Sequence, residues 1–267
     1  MLARIAEQSE QYDDMIEILK PYFENLKAGD GDDFDLSSEE RNLLSVAYKN
    51  AVGLRRIAWR ATKKAVATGK FACFKEHTTD YLTKLEEECV NICKDLLLLI
   101  TKHLMPKAKK ANNKESLVYL FKLQGDYFRY VAEISEGDRH EKGVERALKS
   151  YNEGIELAEE MQPGDPTRLS LQLNFSIFCF ESLNEQEQAL EMANQAIEEA
   201  EENMNEIDKA KQSESQTILQ FLRENVTQWT TKMKETGGDN SKRNLFSQND
   251  SEAQFIEQEP LSDDDDY

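Results

Sequence analysis

Glycine and proline are scarce in this sequence of 267 residues. The 11 Gly and 5 Pro amount to roughly half the usual share of these two helix-breaking residues, which predicts long helices and few turns. The longest aliphatic run, residues 96–100, is too short to cross a bilayer. The beginning, MLARIAEQSEQ, has no apolar signal core. These features predict a cytosolic or nuclear protein with no membrane partner.

Cysteine and histidine are too few and too scattered for a disulfide framework or a metal centre. The four cysteines are Cys73, Cys89, Cys93 and Cys179, and only Cys89 and Cys93 lie one helical turn apart. Two thiols do not complete a zinc site. None of the three histidines follows a glutamate at the spacing of a helical di-iron site. We expect reduced thiols packed as small apolar groups, no metal and no cofactor.

Basic residues are outnumbered by acidic ones, 33 against 52, so the formal net charge is −19. Such a charge disfavours nucleic acid and acidic membranes as partners. Hydrophobic residues make up 39% of the chain, well above the share of a wholly disordered acidic chain. The chain can therefore form a sizeable core.

Short polar or Gly/Pro-bearing breaks divide residues 1–234 into about nine helical segments. The breaks lie at residues 27–33, 67–70, 106–114, 136–138 and 162–167. No strand-like alternation competes with them, so the predicted fold class is all-α. Residues 235–267 have no helical period, and after Arg243 they contain eight acidic residues and no Lys or Arg. We predict a helical domain over 1–234 and a disordered acidic C-terminal tail over 235–267.

The segment from Ser37 to Thr68 shows the clearest helical pattern. Ser37 or Ser38 can cap it, and five apolar residues share one arc that predicts the buried face; they are Leu43, Ala47, Leu54, Ala58 and Ala65. The segment GDGDDFD just before it is interpreted as a solvated loop.

A basic row lies nearly opposite that arc. It consists of Lys49, Arg56 and Arg60, and Gly53 between them leaves room for a guest group. A second segment, GDYFRYVAE, contributes Arg129 and Tyr130. Periodicity alone leaves two readings open: solvated surface charge, or a phosphate site in which Lys49, Arg56, Arg129 and a phenol converge. It does not show that the two helices meet.

Five segments of the chain resemble the signature segments of the 14-3-3 proteins. They are AEQSEQYDDM, ERNLLSVAYKNAVGLRRIAWR, GDYFRYVAE, LQLNFSIFCFE and LRENVTQW, in the family's order between Leu2 and Thr231. The resemblance implies nine antiparallel helices in a cup-shaped protomer with one amphipathic groove. It also implies a dimer, and an adaptor without enzymatic activity that binds phosphoserine or phosphothreonine peptides and so regulates phosphorylated client proteins.

The resemblance assigns roles residue by residue. Lys49, Arg56 and Arg129 would contact the phosphate, and Tyr130 would donate its hydroxyl. Asn174 and Asn225 would hydrogen-bond the peptide backbone, and Leu222 fits core packing equally well. The groove positions are Arg60, Lys122, Leu173, Asn174, Ile177, Glu181, Ile218, Leu222, Asn225 and Trp229. We further hypothesise that Asp126 orients Arg56 or Arg129.

The resemblance also places a dimer seam, at Ile5, Ser9, Asp14, Ala58, Tyr81 and Lys84. Gln11 stands where the family has an arginine, which removes an ion pair expected with Glu88 of the partner. We therefore expect a homodimer that is weakened, or a heterodimer with a paralogue. Ala58 replaces a phosphorylatable serine of many members, so regulation of dimerisation at that position is lost. Thr217 and Phe221 replace usual leucines of the groove.

Two hypotheses remain beside the unmodified adaptor. Ser247 and Ser262 precede acidic residues, which suits acidophilic kinases, and a phosphorylated tail could fold back into the groove as a competitor. The alternative function is a helical scaffold that binds unmodified peptides. A scaffold of that class would show a repeat of roughly 34 residues, and the sequence contains none.

Overall fold

The computed structural model of the chain describes residues 1–26, 34–69 and 74–235. The candidate phosphorylation sites Ser247 and Ser262, most of the predicted tail, and Cys73 lie outside these ranges. Within them the secondary structure is helical without a strand, which confirms the all-α class. None of the described helices combines the length and the apolar character that a membrane crossing requires.

Ten α-helical stretches follow one another along the described chain. They are α1 (Leu2–Gln8), α2 (Tyr12–Glu24), α3 (Ser38–Ala67), α4 (Lys75–Leu99), α5 (Met105–Lys110), α6 (Lys114–Ile134), α7 (Asp138–Ala158), α8 (Pro166–Phe178), α9 (Gln186–Asn203) and α10 (Lys209–Glu235). A π-helical turn, Ile100–Leu104, joins α4 to α5 without a break. The described ranges therefore contain nine separate helical rods.

That continuous rod corrects one predicted boundary. The sequence pattern placed a break over residues 106–114, but the helix runs through Pro106 to Lys110. Proline lacks the backbone N–H that bonds to the fourth residue before it, and a π turn immediately upstream accommodates such a local change in the hydrogen-bond ladder. The real break is Ala111–Asn113, where Asn112 has a positive φ of 51° and the Asn113 side chain caps α6.

Helix α3 begins as its sequence predicts. The Ser37 hydroxyl accepts a hydrogen bond from the Glu40 backbone N–H, and the Glu40 carboxylate accepts one from the Ser37 backbone N–H, which forms a capping box. The predicted buried arc is wrong at Leu54, which is 57% exposed, while Ala47 is fully buried. The prediction used only the spacing of leucine and alanine residues. The buried side of α3 also includes the large aromatic residues Tyr48 and Trp59.

The two ends of the molecule have separate hydrophobic cores. One joins α1–α6 and the other joins α6–α10, so α6 contributes to both. The buried thiols of Cys89, Cys93 and Cys179 are unpaired small residues within these cores. Phe34 and Leu36 are also buried, so the end of the acidic insertion before Ser37 is part of the core and not the solvated loop that the sequence suggested.

Candidate functional site

A cavity opens between α3, α6, α8 and α10, with about 1030 Å³ of empty space continuous with solvent. Its lining is Ser45, Lys49, Gly53 and Arg56 from α3, Lys122, Leu123, Asp126, Tyr127 and Tyr130 from α6, Ser170, Leu173, Asn174 and Ile177 from α8, and Phe221, Glu224, Asn225 and Gln228 from α10. The two helices whose meeting the sequence left open, α3 and α6, thus face one cavity.

Two arginines lie against the ring of Tyr130: Arg56, which lines the cavity, and Arg129, which does not line it. The Arg56 guanidinium carbon lies 3.9 Å from the ring centre, and that of Arg129 lies 4.8 Å from it. Both arginines are almost fully buried, at 6% and 5% exposure. Lys49 and Tyr130 line the same cavity. The reading of these residues as a solvated basic row is therefore wrong for Arg56.

Glu133 is the carboxylate that holds Arg56. Its Oε2 accepts hydrogen bonds from Arg56 Nε at 2.8 Å and Arg56 Nη2 at 2.6 Å, and its Oε1 accepts one from Arg60 Nε at 2.5 Å. Sequence reasoning did not single out Glu133. The sequence did contain a signal that Glu133 lies near the basic residues: it follows Arg129 by four residues, which places both side chains on the same face of α6.

Asp126 accepts hydrogen bonds from three side chains, and its role in orienting Arg56 or Arg129 stays a prediction. Its carboxylate accepts hydrogen bonds from Asn174 Nδ2 at 2.9 Å, from the Tyr151 hydroxyl at 2.6 Å and from Lys122 Nζ at 3.2 Å. Burial, with the charge of Asp126 adding to it, raises the pKa of Tyr151 well above its usual range. The phenol therefore stays protonated and donates. Asp126 thus fixes the side-chain amide of Asn174 at the edge of the cavity.

The remaining groove residues divide between the cavity and the core. Lys122, Leu173, Asn174, Ile177 and Asn225 line the cavity. Ile218 and Leu222 are buried in the core, so core packing accounts for Leu222. Trp229 is 1% exposed and stacks on Phe180 with ring centres 4.6 Å apart. Glu181 is exposed, and Arg60 lies beside the cavity on Glu133.

Five of the six predicted seam residues lie on the surface of the protomer. Ile5, Ser9, Asp14, Tyr81 and Lys84 are exposed, and Ala58 is half-buried. Glu88, which we expected to pair with the partner, accepts a hydrogen bond from Arg55 Nε of its own chain at 3.1 Å. Two apolar residues of α3 are exposed, Leu54 and Ile57, at 57% and 50%; the sequence pattern placed Leu54 on the buried face and did not single out Ile57.

The arrangement suits an anion with several acceptor oxygens. Guanidinium groups meet such oxygens with paired, charge-assisted hydrogen bonds, and a phenol and an ammonium group supply further donors. Gly53, which has no side chain beyond its hydrogen, lies in the α3 wall between Lys49 and Arg56. In the described ranges no three His, Cys, Asp or Glu side chains converge in a way that could hold a metal ion.

Comparison with known proteins gives one consistent result. The family model described as "14-3-3 protein" matches residues 2–230. The chain is 41% identical to 14-3-3 protein zeta of Bombyx mori over 239 residues, which cover 89% of this chain and 92% of that protein. It is 42% identical to 14-3-3-like protein 2 of Caenorhabditis elegans over 231 residues, or 86% and 89%. It is 40% identical to checkpoint signal transducer rad24 of Schizosaccharomyces pombe over 235 residues, or 86% and 83%. The chain therefore belongs to the 14-3-3 family, whose members are non-enzymatic adaptor proteins that bind phosphorylated clients and generally form dimers.

Proposed function

We propose that the cavity binds the phosphate of phosphoserine or phosphothreonine segments in client proteins, with Lys49, Arg56, Arg129 and Tyr130 as its ligands. The observation that carries the proposal is the pair of buried arginines stacked on Tyr130 in a chain of net charge −19. Glu133 supplies one negative charge to both Arg56 and Arg60. A phosphate monoester brings about −1.5 to −2 more, and a serine hydroxyl brings none.

The rest of the cavity suits an extended peptide on either side of the phosphate. Asn174 and Asn225 offer amide groups that can bond a peptide backbone, and Asp126 holds Asn174 in place. Leu173, Ile177 and Phe221 supply apolar surface for side chains of the client. In this proposal Phe221 sets which side chains fit beside the phosphorylated residue.

The test is a fluorescence-anisotropy titration of a peptide carrying Arg-Ser-x-phosphoserine-x-Pro, beside its unphosphorylated twin. We expect binding of the phosphorylated peptide only. Lys49→Glu should weaken it by about 100-fold, because it replaces an attraction to the phosphate by a repulsion. Lys94→Glu, an exposed change on α4, is the matched control and should have little effect. Equal affinity of the two peptides would refute the phosphate site and favour a scaffold that binds unmodified peptides.

A homodimer through the seam face belongs to the same proposal. In this proposal the face is formed by the exposed apolar residues Ile5 of α1, Leu54 and Ile57 of α3, and Tyr81 of α4. Isolated apolar residues are common on surfaces, but several large ones on neighbouring helices mark an interface. Two protomers joined there would present two cavities, so that a client phosphorylated at two sites would gain affinity from both.

A further inference from the structure

One pole of this acidic molecule is basic. Residues 96–114 contain five lysines and no aspartate or glutamate. The lysines are Lys102, Lys107, Lys109, Lys110 and Lys114, and they lie on the π turn, on α5 and at the beginning of α6. We call this group the basic pole. It is separate from the cavity, whose nearest basic residue on α6 is Lys122, about 12 Å further along the helix from Lys114 at 1.5 Å per residue.

The exposed side of the basic pole presents its charge to solvent. Lys102, Lys109 and Lys110 are exposed, whereas Leu104 and Ala108 on the opposite side are fully buried. Among the residues that the structure describes, Lys102 and Lys109 have no carboxylate within ion-pair distance. Lys109 lies 5.8 Å from the ring centre of Phe121, and Lys107 donates to the Leu26 carbonyl oxygen at 2.5 Å.

Three carboxylates at the border of the pole already form ion pairs or hydrogen bonds. Asp95 binds Lys20 and Tyr48. Glu115 binds Arg41 at 2.6 Å and Lys211 at 3.3 Å. Glu160 binds Lys114. In the sequence, residues 27–33 carry three aspartates and one lysine, a formal net charge of −2, which is smaller in magnitude than the charge of the five lysines.

We propose that the basic pole docks the acidic end of the same chain, the run Asp263–Asp266. Charge complementarity favours this occupant, because residues 244–267 carry eight acidic residues and no lysine or arginine. The dimensions also match. Lys102 and Lys109 are about 10 Å apart along the helix, and four consecutive residues span about 10 Å in an extended chain.

The tail is long enough to reach the pole. Lys211, near the beginning of α10, contacts Glu115 beside the pole at 3.3 Å, and α10 ends at Glu235 about 36 Å away along the helix. Asp263 lies 28 residues beyond Glu235, which allows a maximum span of about 92 Å. Tethering raises the effective concentration of the run at the pole, so that weak exposed ion pairs suffice to hold it.

Zero-length carbodiimide cross-linking of the full chain, read by mass spectrometry, tests the docking. We expect carboxylates of residues 263–266 to link to Lys102 or Lys109 at low salt, and the yield to fall sharply at about 1 M salt, where the Debye length is about 3 Å. Equal mixtures of isotope-labelled and unlabelled protein should give links within one chain. Links to Lys49 or Lys122 instead, links between chains, or links from Asp30, Asp32 or Asp33 alone would overturn the proposal.

A second measurement avoids changes to the pole itself. In a full-length variant with Asp263→Asn, Asp264→Asn, Asp265→Asn and Asp266→Asn, we expect acylation of Lys102 and Lys109 to become about threefold faster, because the docked run shields them. Acylation of Lys64 and Lys94, exposed lysines on α3 and α4, is the matched control and should not change. Unchanged rates at Lys102 and Lys109 would show that the pole does not hold the tail.

Discussion

Glu133 stabilises the buried charge of Arg56, and this makes it a sensitive position. Its side chain is 10% exposed and bonds both Arg56 and Arg60. Glu133→Gln leaves a buried guanidinium without its anion, so we expect the free energy of unfolding in urea to fall by about 1–3 kcal/mol. Glu136→Gln is the matched control. Glu136 is 87% exposed and lies 3.5 Å from Lys63, so its loss should change stability by less than about 0.5 kcal/mol. Similar losses in both variants would refute this role of Glu133.

Gly125 allows α6 and α7 to approach closely at the cavity floor. A Cβ atom there would lie 2.5 Å from Cε1 of Tyr151, whose hydroxyl bonds Asp126. Gly125→Ala should therefore displace the ring and cost about 1–3 kcal/mol in urea unfolding.

Gly154→Ala serves as the comparison for that variant. Its Cβ would lie 3.1 Å from a terminal methyl of Leu171 and 3.2 Å from Cβ of Phe121, distances that need shifts of only a few tenths of an ångström, and alanine gains up to about 1 kcal/mol in helix propensity. We expect a net change below about 1 kcal/mol. An equal loss in the two variants would mean that the close approach to Tyr151 does not set the cost.

The sequence predicted the residue types of the cavity better than their surroundings. Lys49, Arg56 and Tyr130 line it as the resemblance implies, but periodicity could not show that α3 and α6 face each other, because that depends on contacts distant in sequence. The exposure of Leu54 was not predictable from hydrophobicity for the same reason. Which side of a helix is covered depends on the neighbouring helices.

At the scale of elements, helix caps were predictable and one helix end was not. The Ser37–Glu40 capping box is local in sequence, so the beginning of α3 follows from four residues. Pro106 suggested a break, but proline is tolerated in the first turn of a helix, and the π turn before it places it there. A proline in the sequence is therefore not by itself a helix end, and Pro21 likewise lies inside α2.

Three helices are joined at one end by an ion-pair network centred on Glu115. Burial alone would raise the pKa of Glu115, but the charges of Arg41 on α3 and Lys211 on α10 outweigh it and lower that pKa. The ionised Glu115 carboxylate therefore stabilises the folded protein. This stabilisation is complete above the pKa of a glutamate in the unfolded chain, about 4.3, and is lost as the pH falls through the lower pKa of Glu115 in the folded protein.

Glu115→Gln should therefore destabilise the protein at neutral pH and matter progressively less in acid. Urea midpoints of the wild type and the variant, measured from pH 7 down to about pH 3, should move closer together as the pH falls below about 4.3. Glu159→Gln, at an exposed position, is the control and should follow the wild type throughout. A difference between wild type and Glu115→Gln that stays constant with pH would contradict the network.

For the whole molecule, the exposed apolar residues Leu54 and Ile57 of the proposed seam contrast with the strong net charge. The chain carries a net charge of −19, and two such protomers repel each other. The large apolar side chains of α1, α3 and α4 on this face can offset that repulsion without ion pairs across the seam. Since Glu88 already bonds Arg55 and Lys84 of its own chain, the loss of a partner at Gln11 removes little.

We therefore expect a dimer that depends on apolar contact and not on charge. Burying a leucine or isoleucine is worth about 1.5–3 kcal/mol each, so Leu54→Glu with Ile57→Glu should weaken dimerisation by at least about 100-fold in sedimentation equilibrium. Leu98→Glu is the matched control, since Leu98 is 51% exposed but lies about 25 Å along α4 from Tyr81.

Raising the salt from about 0.1 M to about 1 M should leave the wild-type dimer intact or tighten it. The Debye length falls from about 10 Å to about 3 Å, and the repulsion between protomers is therefore screened. Dissociation of the wild type in salt, or an intact dimer in the double variant, would show that ion pairs or another face holds the protomers together.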